Sequence, residues 1–324
     1  MTAPILSVNG LTTVFETRIG TLTAVNDVSF TVGPGEVLGL VGESGSGKTI
    51  TGFSILGLID RPGAIRAGEI WLKGTDLRKL APDALRRLRG DRIAMIFQDP
   101  MMTLNPVLRI DTQLIETILA HRDVSRGRAR EMAEAALAQV GIPSPAERLR
   151  AYPHELSGGM RQRVVIAAAL MLEPDLIVAD EPTTALDVTI QSQILFEMQK
   201  LMAARQTALI WITHDLTVVA GLAHRVAVMY AGRIVETGPV DDVLDRPAHP
   251  YTHGLIHSIP SATARGQRLA PIRGMTPSLI HLPEGCAFAP RCGRADAACG
   301  TAPAATDIAP GRWLRCHHPL EAGA

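Results

Sequence analysis

The chain has 324 residues, 46% hydrophobic and 20% charged, enough for two domains or one large domain with an appendage. Its 32 basic and 32 acidic residues cancel and no long basic run occurs, which disfavours a nucleic-acid backbone as partner. No basic-then-apolar leader is visible, and the longest apolar run, Val164–Leu172, is about half a membrane span, so the chain reads as cytoplasmic, anchored at any membrane by other chains.

Ile5–Val8 and Asn26–Val32 read as strands, the second alternating apolar and polar residues, and Gly33-Pro34-Gly35 as a turn. Glu36–Val41 predicts a buried strand and Thr49–Leu58 a helix. Between them, Gly42-Glu43-Ser44-Gly45-Ser46-Gly47-Lys48-Thr49 fits G-x-x-x-x-G-K-[ST], the phosphate-binding P-loop, in the strand–loop–helix context that the motif needs. Its glycines let backbone N–H groups turn inward around phosphate oxygens, and the following helix points its positive end at the same anion. Lys48 can reach the β- and γ-phosphates, and the Thr49 hydroxyl can ligate Mg²⁺. Gly42, Ser44, Gly45, Ser46, Gly47, Lys48 and Thr49 are thus the candidate nucleotide cradle.

Gly68–Leu72 and Arg92–Phe97 read as further strands, the second ending at Gln98. From about Pro100 to Pro153 the character turns helical, with apolar spacing over Thr112–Ala120 and Arg126–Val140. Ser157-Gly158-Gly159 opens an apolar helix, Met160–Leu172, with Ser157 as N-cap. A short apolar strand, Asp175–Ala179, ends in Asp180-Glu181. Val188–Ala204 is helical, Ala208–Thr213 is a strand ending at His214, and Arg225–Tyr230 and Arg233–Glu236 are the last core strands. Strands alternating with helices predict a largely parallel sheet, with Gln98, Asp180, Glu181 and His214 at strand ends, where one cleft could gather them beside the P-loop. After Gly238-Pro239, recurring proline and glycine predict a small loop-rich C-terminal domain.

Asp180, after an apolar strand, stands where a carboxylate can hold Mg²⁺, and Glu181 beside it can orient or deprotonate a water. An acidic pair at a strand end is usually ordinary surface; the upstream P-loop reverses that balance. Gln98 and His214 are weak signals alone. Leu156-Ser157-Gly158-Gly159-Met160-Arg161-Gln162 is stronger, because a serine and two glycines at a helix start form a second anion site. One nucleotide rarely needs two cradles in one chain, which points to a nucleotide shared between two subunits.

In order and spacing, Gly42–Thr49, Gln98, Leu156–Gln162, Asp180-Glu181, Ala185-Leu186-Asp187 and His214 resemble the ATP-binding subunit of an ABC transporter, over essentially the whole chain. The resemblance implies an α/β P-loop ATPase core of ABC type with a mixed sheet over residues 1–99 and 157–237. It also implies an inserted helical subdomain over 100–156 and a C-terminal extension over 238–324. It implies a head-to-tail dimer, with ATP between the P-loop of one subunit and Ser157-Gly158-Gly159 of the other. It assigns Gln98 to sensing Mg²⁺ and the transmembrane partner, His214 to the γ-phosphate, and Asp187 to communication across the dimer. Phe15 is the candidate for stacking on adenine, though the insertion-like Thr17–Thr23 follows it. Met160 stands where many members have glutamine, and His224 replaces a usual acidic residue and is expected on the surface without a function.

Phe97-Gln98-Asp99-Pro100, Leu104-Asn105-Pro106, Tyr152–Leu156, His249-Pro250-Tyr251-Thr252 and Leu282–Cys292 resemble the dipeptide/oligopeptide/nickel importers. This implies ATP-driven peptide import at the cytoplasmic membrane face. The implied partners are two membrane permease subunits, a second and different ATPase chain, and, indirectly, an extracytoplasmic peptide-binding protein. All four cysteines, Cys286, Cys292, Cys299 and Cys316, fall near the C-terminus with spacing C-x5-C-x6-C-x16-C, without the paired knuckles of most zinc sites. Disulfides are disfavoured in a reducing cytoplasm, and four thiolates can hold a [4Fe–4S] cluster, which the resemblance favours over zinc or free thiols. The competing readings are a soluble ABC ATPase acting on nucleic acid or ribosomes, and a regulatory nucleotide binder that does not hydrolyse. Neutral charge with a single nucleotide-binding core opposes the first; Lys48, Glu181 and His214 together oppose the second.

Overall fold

The computed structural model describes residues 3–183, 188–258 and 272–320. Its first elements are β1 (Leu6–Thr17), β2 (Gly20–Val32), β3 (Val37–Val41), α1 (Lys48–Leu56), β4 (Gly63–Leu72), β5 (Thr75–Asp76), α2 (Pro82–Leu88) and β6 (Ile93–Ile96). Then come α3 (Pro100–Thr103), α4 (Ile110–Leu119), α5 (Arg126–Gln139), α6 (Pro145–Arg148), α7 (Gly158–Leu170), β7 (Leu176–Asp180), α8 (Val188–Arg205) and β8 (Ala208–Thr213). The last are α9 (Leu216–Leu222), β9 (Arg225–Tyr230), β10 (Arg233–Pro239), α10 (Val240–Asp245), α11 (Pro250–His257), β11 (Thr306–Ala309) and β12 (Arg312–Leu314). The fold is α/β, and the elements divide into two compact units.

The first unit comprises the N-terminal segment up to Ile5, Val32–Glu36 and Lys79–Ile210. Its sheet strands β6 and β7 pair in parallel, Ile93 opposite Leu176 and Ile96 opposite Ala179, and every residue of both is buried. A parallel strand covered on both faces reads as an unbroken apolar run, as these do. β7 is followed in the sheet order by β8, whose first half, Ala208–Ile210, belongs here. The helices form because their apolar residues recur on one face. α4 buries Ile110, Leu114, Ile115 and Ile118, and α5 buries Ala129, Ala133, Ala136 and Leu137. The alanines of α5 let α4 and α7 approach it closely. The Ser125 side chain starts α5 by accepting from Arg128 N at 3.2 Å.

The second unit comprises Leu6–Thr31, Val37–Arg78 and the chain from Trp211 onward. It holds an outer sheet of order β2-β1-β4-β5, in which β1 and β4 run antiparallel, Leu6 opposite Leu72 and Phe15 opposite Gly63. The other sheet segment has the order β11-β12-β10-β9-β3, then the second half of β8. β3 pairs with β9 in parallel and β10 with β9 antiparallel, so the sheet is mixed. The Thr17–Thr23 stretch expected as an insertion is a tight hairpin, with Arg18 and Ile19 as its turn between β1 and β2. Both β1 and β4 outrun the apolar patterns that announced them, because their mutual pairing satisfies backbone groups beyond the apolar run.

Within the C-terminal segment, predicted to be loop-rich, strand β12 pairs antiparallel with β10, Glu236 opposite Leu314, and lengthens the sheet. Glu236 is fully buried and accepts hydrogen bonds from Ala248 N, His249 N and Arg312 Nη2, each at 2.9 Å. A buried carboxylate is stable only when so paired, and removing one partner of such a pair costs about 3–5 kcal/mol. His249 then caps α11, its Nδ1 accepting from Tyr251 N at 3.0 Å with Pro250 in the first turn. The rings of Tyr230, Tyr251, Phe288 and His249 pack on one another, with centroids 4.5–5.9 Å apart.

Burial pushes the pKa of His249 down to about 4 from 6.5, with the Arg315 backbone offsetting part of the effect. The unfolded chain therefore binds a proton there at a pH where the folded chain does not. The stability that neutral His249 contributes is intact above pH ~6.5 and is lost progressively towards pH ~4, on the order of 3 kcal/mol in all. Hydrogen-exchange protection over residues 249–257, taken relative to the intrinsic amide rate at each pH, is expected to fall between pH ~7 and ~4.5. His249→Asn, which can still cap but does not titrate, should flatten that dependence; an equal pH dependence in the variant would contradict the assignment.

Candidate functional site

The P-loop lies in the second unit. β3 is buried along its length, and at its end the backbone turns through Gly42 with φ 150°. A Cβ there would lie 2.2 Å from the Met229 carbonyl oxygen, so only glycine fits. Gly47 precedes α1 in the left-handed region, so the positive end of the helix follows directly on the loop. Ser46 and Lys48 are buried, Thr49 is half-buried, and Ser44 and Gly45 are exposed. Lys48 Nζ donates to the carbonyls of Gly42 at 2.8 Å and Glu43 at 3.0 Å. A buried ammonium held on the rim of the turn, beside a helix start, is a site for a polyanion.

Phe15 shares this unit. It is half-buried on β1, opposite Gly63 in β4, where a Cβ would meet its ring at 2.6 Å. One side of the ring is therefore covered by its own sheet. His214 follows β8 and is exposed, ahead of Asp215, whose side chain caps α9 by accepting from Thr217 N at 2.8 Å. His224 is exposed but structural: its Nδ1 accepts from Val37 N at 3.0 Å and steadies the start of β3.

The first unit gathers a second group. Because β6 and β7 run in parallel, Gln98 and Asp180-Glu181 leave the same ends of neighbouring strands. Asp180 is buried as the last residue of β7. Glu181 has a positive φ of 44°, an uncommon conformation for a residue with a side chain, and accepts from Gln98 Nε2 at 3.4 Å. Ser157 caps α7, its side chain accepting from Met160 N at 3.3 Å. At Gly158 an added Cβ would meet nothing within 4 Å, so packing within the chain does not call for glycine there. Ala185, Leu186 and Asp187 lie outside the described residues.

Three further residues escape a reading by motif. Glu43, inside the P-loop, is held by Tyr251 and Arg291 of the C-terminal segment: Tyr251 Oη accepts from Glu43 N at 2.9 Å, and the Arg291 guanidinium grips the carboxylate at 2.6 and 2.9 Å. Burial opposes the Glu43 carboxylate, but the bonds from Arg291 and Thr276 and the charges of Arg291 and Lys48 hold its pKa below the usual range. The sequence signals were the acid among the loop's variable positions and the His249-Pro250-Tyr251-Thr252 and Leu282–Cys292 runs, none of which shows that these residues meet.

All four cysteines are free thiols. Cys286 N donates to the Cys299 carbonyl at 2.9 Å, and a Cβ on Gly285 (φ 80°) would lie 2.3 Å from that carbonyl oxygen. Backbone N–H groups of Arg294 and His318 reach Cys292 Sγ and Cys316 Sγ, both at 3.4 Å. Burial pushes the Cys286 thiol up and, with the charges of the other three cysteines, the Cys316 thiol up to about 11. Beside them, ligand atoms of Asp296, Cys299 and His318 lie within 4.8 Å of one another, with His318 Nε2 2.7 Å from Asp296 Oδ1. A cavity of about 230 Å³ opens next to Cys286, Tyr230, His249 and Arg315, away from the P-loop.

Two family descriptions match the chain. "ABC transporter" covers residues 25–184, and "Oligopeptide/dipeptide transporter, C-terminal region" covers residues 235–299. A Brucella melitensis protein named for peptide import and ATP binding is 53% identical, with 92% of each chain covered. The oligopeptide transport ATP-binding protein OppD of Escherichia coli is 46% identical, over 98% of this chain and 94% of that one. The dipeptide transport ATP-binding protein DppD of the same organism is 45% identical, over 98% and 97%. Among solved structures, the ATP-binding cassette MJ0796, a dimer in a post-hydrolysis state bound to ADP and Pi, aligns with a TM-score of 0.66 at 25% identity. That alignment covers 72% of this chain and 98% of that one.

Proposed function

The chain belongs to the ATP-binding subunits of ABC transporters, in the oligopeptide/dipeptide group, and from that premise we propose how it powers peptide import. It is an ATPase, and the hydrolysis it catalyses drives import through membrane permease partners. The observation that carries this reading is the union, in one chain, of a P-loop with a buried lysine and a C-terminal region of the peptide-importer kind. That C-terminal match and the peptide-import relatives weigh against the soluble ATPase acting on nucleic acid or ribosomes.

In our reading, the loop N–H groups of Gly42–Lys48 and the Lys48 ammonium bind the ATP phosphates, and the Phe15 ring meets adenine on its uncovered side. Thr49 and Asp180 would hold Mg²⁺ with help from Gln98, and the bound ion would supply positive charge against the phosphates. Glu181, kept within reach of Gln98, orients the attacking water and accepts its proton; His214 contacts the γ-phosphate. Ser157, Gly158 and Gly159 meet the nucleotide of a second, homologous ATPase chain, and Asp187 reports across that interface. The unfilled space around Gly158 supports this, because its glycine then answers to a partner. Glu181→Gln cannot accept the proton, so turnover in the assembled transporter should fall by about 10²-fold or more while ATP binding persists. Wild-type turnover in that variant would remove Glu181 from the role.

Among the described residues no helix is long and apolar enough to cross a membrane. We place the chain at the cytoplasmic face, docked to two permease subunits that receive peptide from an extracytoplasmic binding protein. Met102 and Val107, 84% and 75% exposed beside α3, are the apolar surface we assign to the permeases. Complexes purified from membranes should contain two permease chains and a second, different ATPase, and Met102→Glu should reduce permease recovery without weakening ATP binding. Unchanged recovery would move the docking surface elsewhere.

For the cysteines we propose one [4Fe–4S] cluster held by Cys286, Cys292, Cys299 and Cys316, with a structural role. The backbone N–H groups turned towards Cys292 and Cys316 support such a site, and the raised Cys286 and Cys316 thiols mean that loading must release protons. Zinc is the second reading, favoured by the mixed donor set Asp296, Cys299 and His318. Anaerobically purified protein should carry about four irons and four sulfides per chain, and each Cys→Ser change should bleach its brown absorbance while nucleotide binding remains. Stoichiometric zinc without iron would establish the second reading instead.

A further inference from the structure

We infer that Arg291 is a positioning residue for the P-loop: it neutralises Glu43 and fixes that residue's place, so that a polyphosphate can enter beside it. The inference rests on the reading of the P-loop as an ATP site. Three parts of Glu43 are held at once. Its carboxylate accepts from Arg291 Nη1 at 2.6 Å and Nη2 at 2.9 Å, and from Thr276 Oγ1 at 2.9 Å. Its N–H donates to Tyr251 Oη at 2.9 Å, and its carbonyl accepts from Lys48 Nζ at 3.0 Å. Arg291 is itself fixed. Only 5% of its side chain is exposed, Nε donates to the Arg273 carbonyl at 3.0 Å, and the guanidinium carbon sits 5.8 Å from the Tyr230 ring centroid and 5.9 Å from that of Phe288.

The chemistry of the loop explains why such a clamp is needed. A phosphate cradle gathers N–H groups and an ammonium for an anion, and a bare carboxylate one residue past its first glycine works against that. A fork of two charge-assisted bonds cancels the carboxylate and sets its direction, which a single ammonium cannot do as well. Both clamps, Arg291 and Tyr251, come from the C-terminal segment, and Arg291 immediately precedes Cys292. The segment that distinguishes this group of ATPases thus reaches into the loop that binds nucleotide.

The test uses the full chain and the binding of the fluorescent nucleotide mant-ATP with Mg²⁺. Arg291→Ala should raise Kd by about tenfold or more, and adding Glu43→Gln should return it to within about threefold of wild type, because the uncompensated charge is then gone. A purely structural role for Arg291 would not be rescued by a change at Glu43. Wild-type Kd in Arg291→Ala, or a double variant as weak as the single one, overturns the inference. If Arg291→Ala does not fold, Arg291→Gln keeps a hydrogen-bonding but shorter side chain without charge and carries the same two expectations and the same two refutations. Failure of wild type itself to bind mant-ATP would instead refute the ATP reading of the loop.

Discussion

The turn at Gly42 is the constraint on which the site depends. A strand buried on both faces must stop and reverse beneath the Met229 carbonyl, and the space left admits no side chain. Everything chemical in the loop follows from that reversal. The Gly42 and Glu43 carbonyls are turned to receive the Lys48 ammonium, and the positive end of α1 follows directly on the loop. The buried lysine is affordable only because those carbonyls replace the water it has lost.

The C-terminal segment obeys a similar rule at two places. Glu236 and Glu43 are carboxylates withdrawn from water, and each is met by an arginine from later in the chain, Arg312 and Arg291. Glu236 also accepts the two N–H groups that open α11, so one buried charge joins the last core strand, a helix cap and strand β12. Neutral His249 and the aromatic packing around it then set Tyr251 against the P-loop. A segment poor in apolar residues is therefore ordered by paired charges and by rings rather than by a large core of its own.

Much of this was legible beforehand where the signal is local. The P-loop could be read because its residues are contiguous and the strand and helix on either side carry their own periodicities. α5 could be read because alanine and leucine recur on one face, and β7 because an unbroken apolar run in a parallel strand is its own announcement. The lengths of β1 and β4 were not legible, since their outer halves are stabilised by each other rather than by their own composition. The Thr17–Thr23 hairpin was missed for the same reason.

By itself the sequence determined the α/β class, the phosphate loop, the helix start at Ser157, and the family resemblance, all of which depend on residues close together in the chain. Only the tertiary structure decided that the C-terminal strands join the core sheet, that Glu181 adopts a left-handed conformation within reach of Gln98, and that Glu43 answers to Tyr251 and Arg291. Those last contacts join residues 208 and 248 positions apart. A charge pair at such a distance leaves no periodicity behind, because its energy comes from a geometry that exists only once the intervening chain has folded.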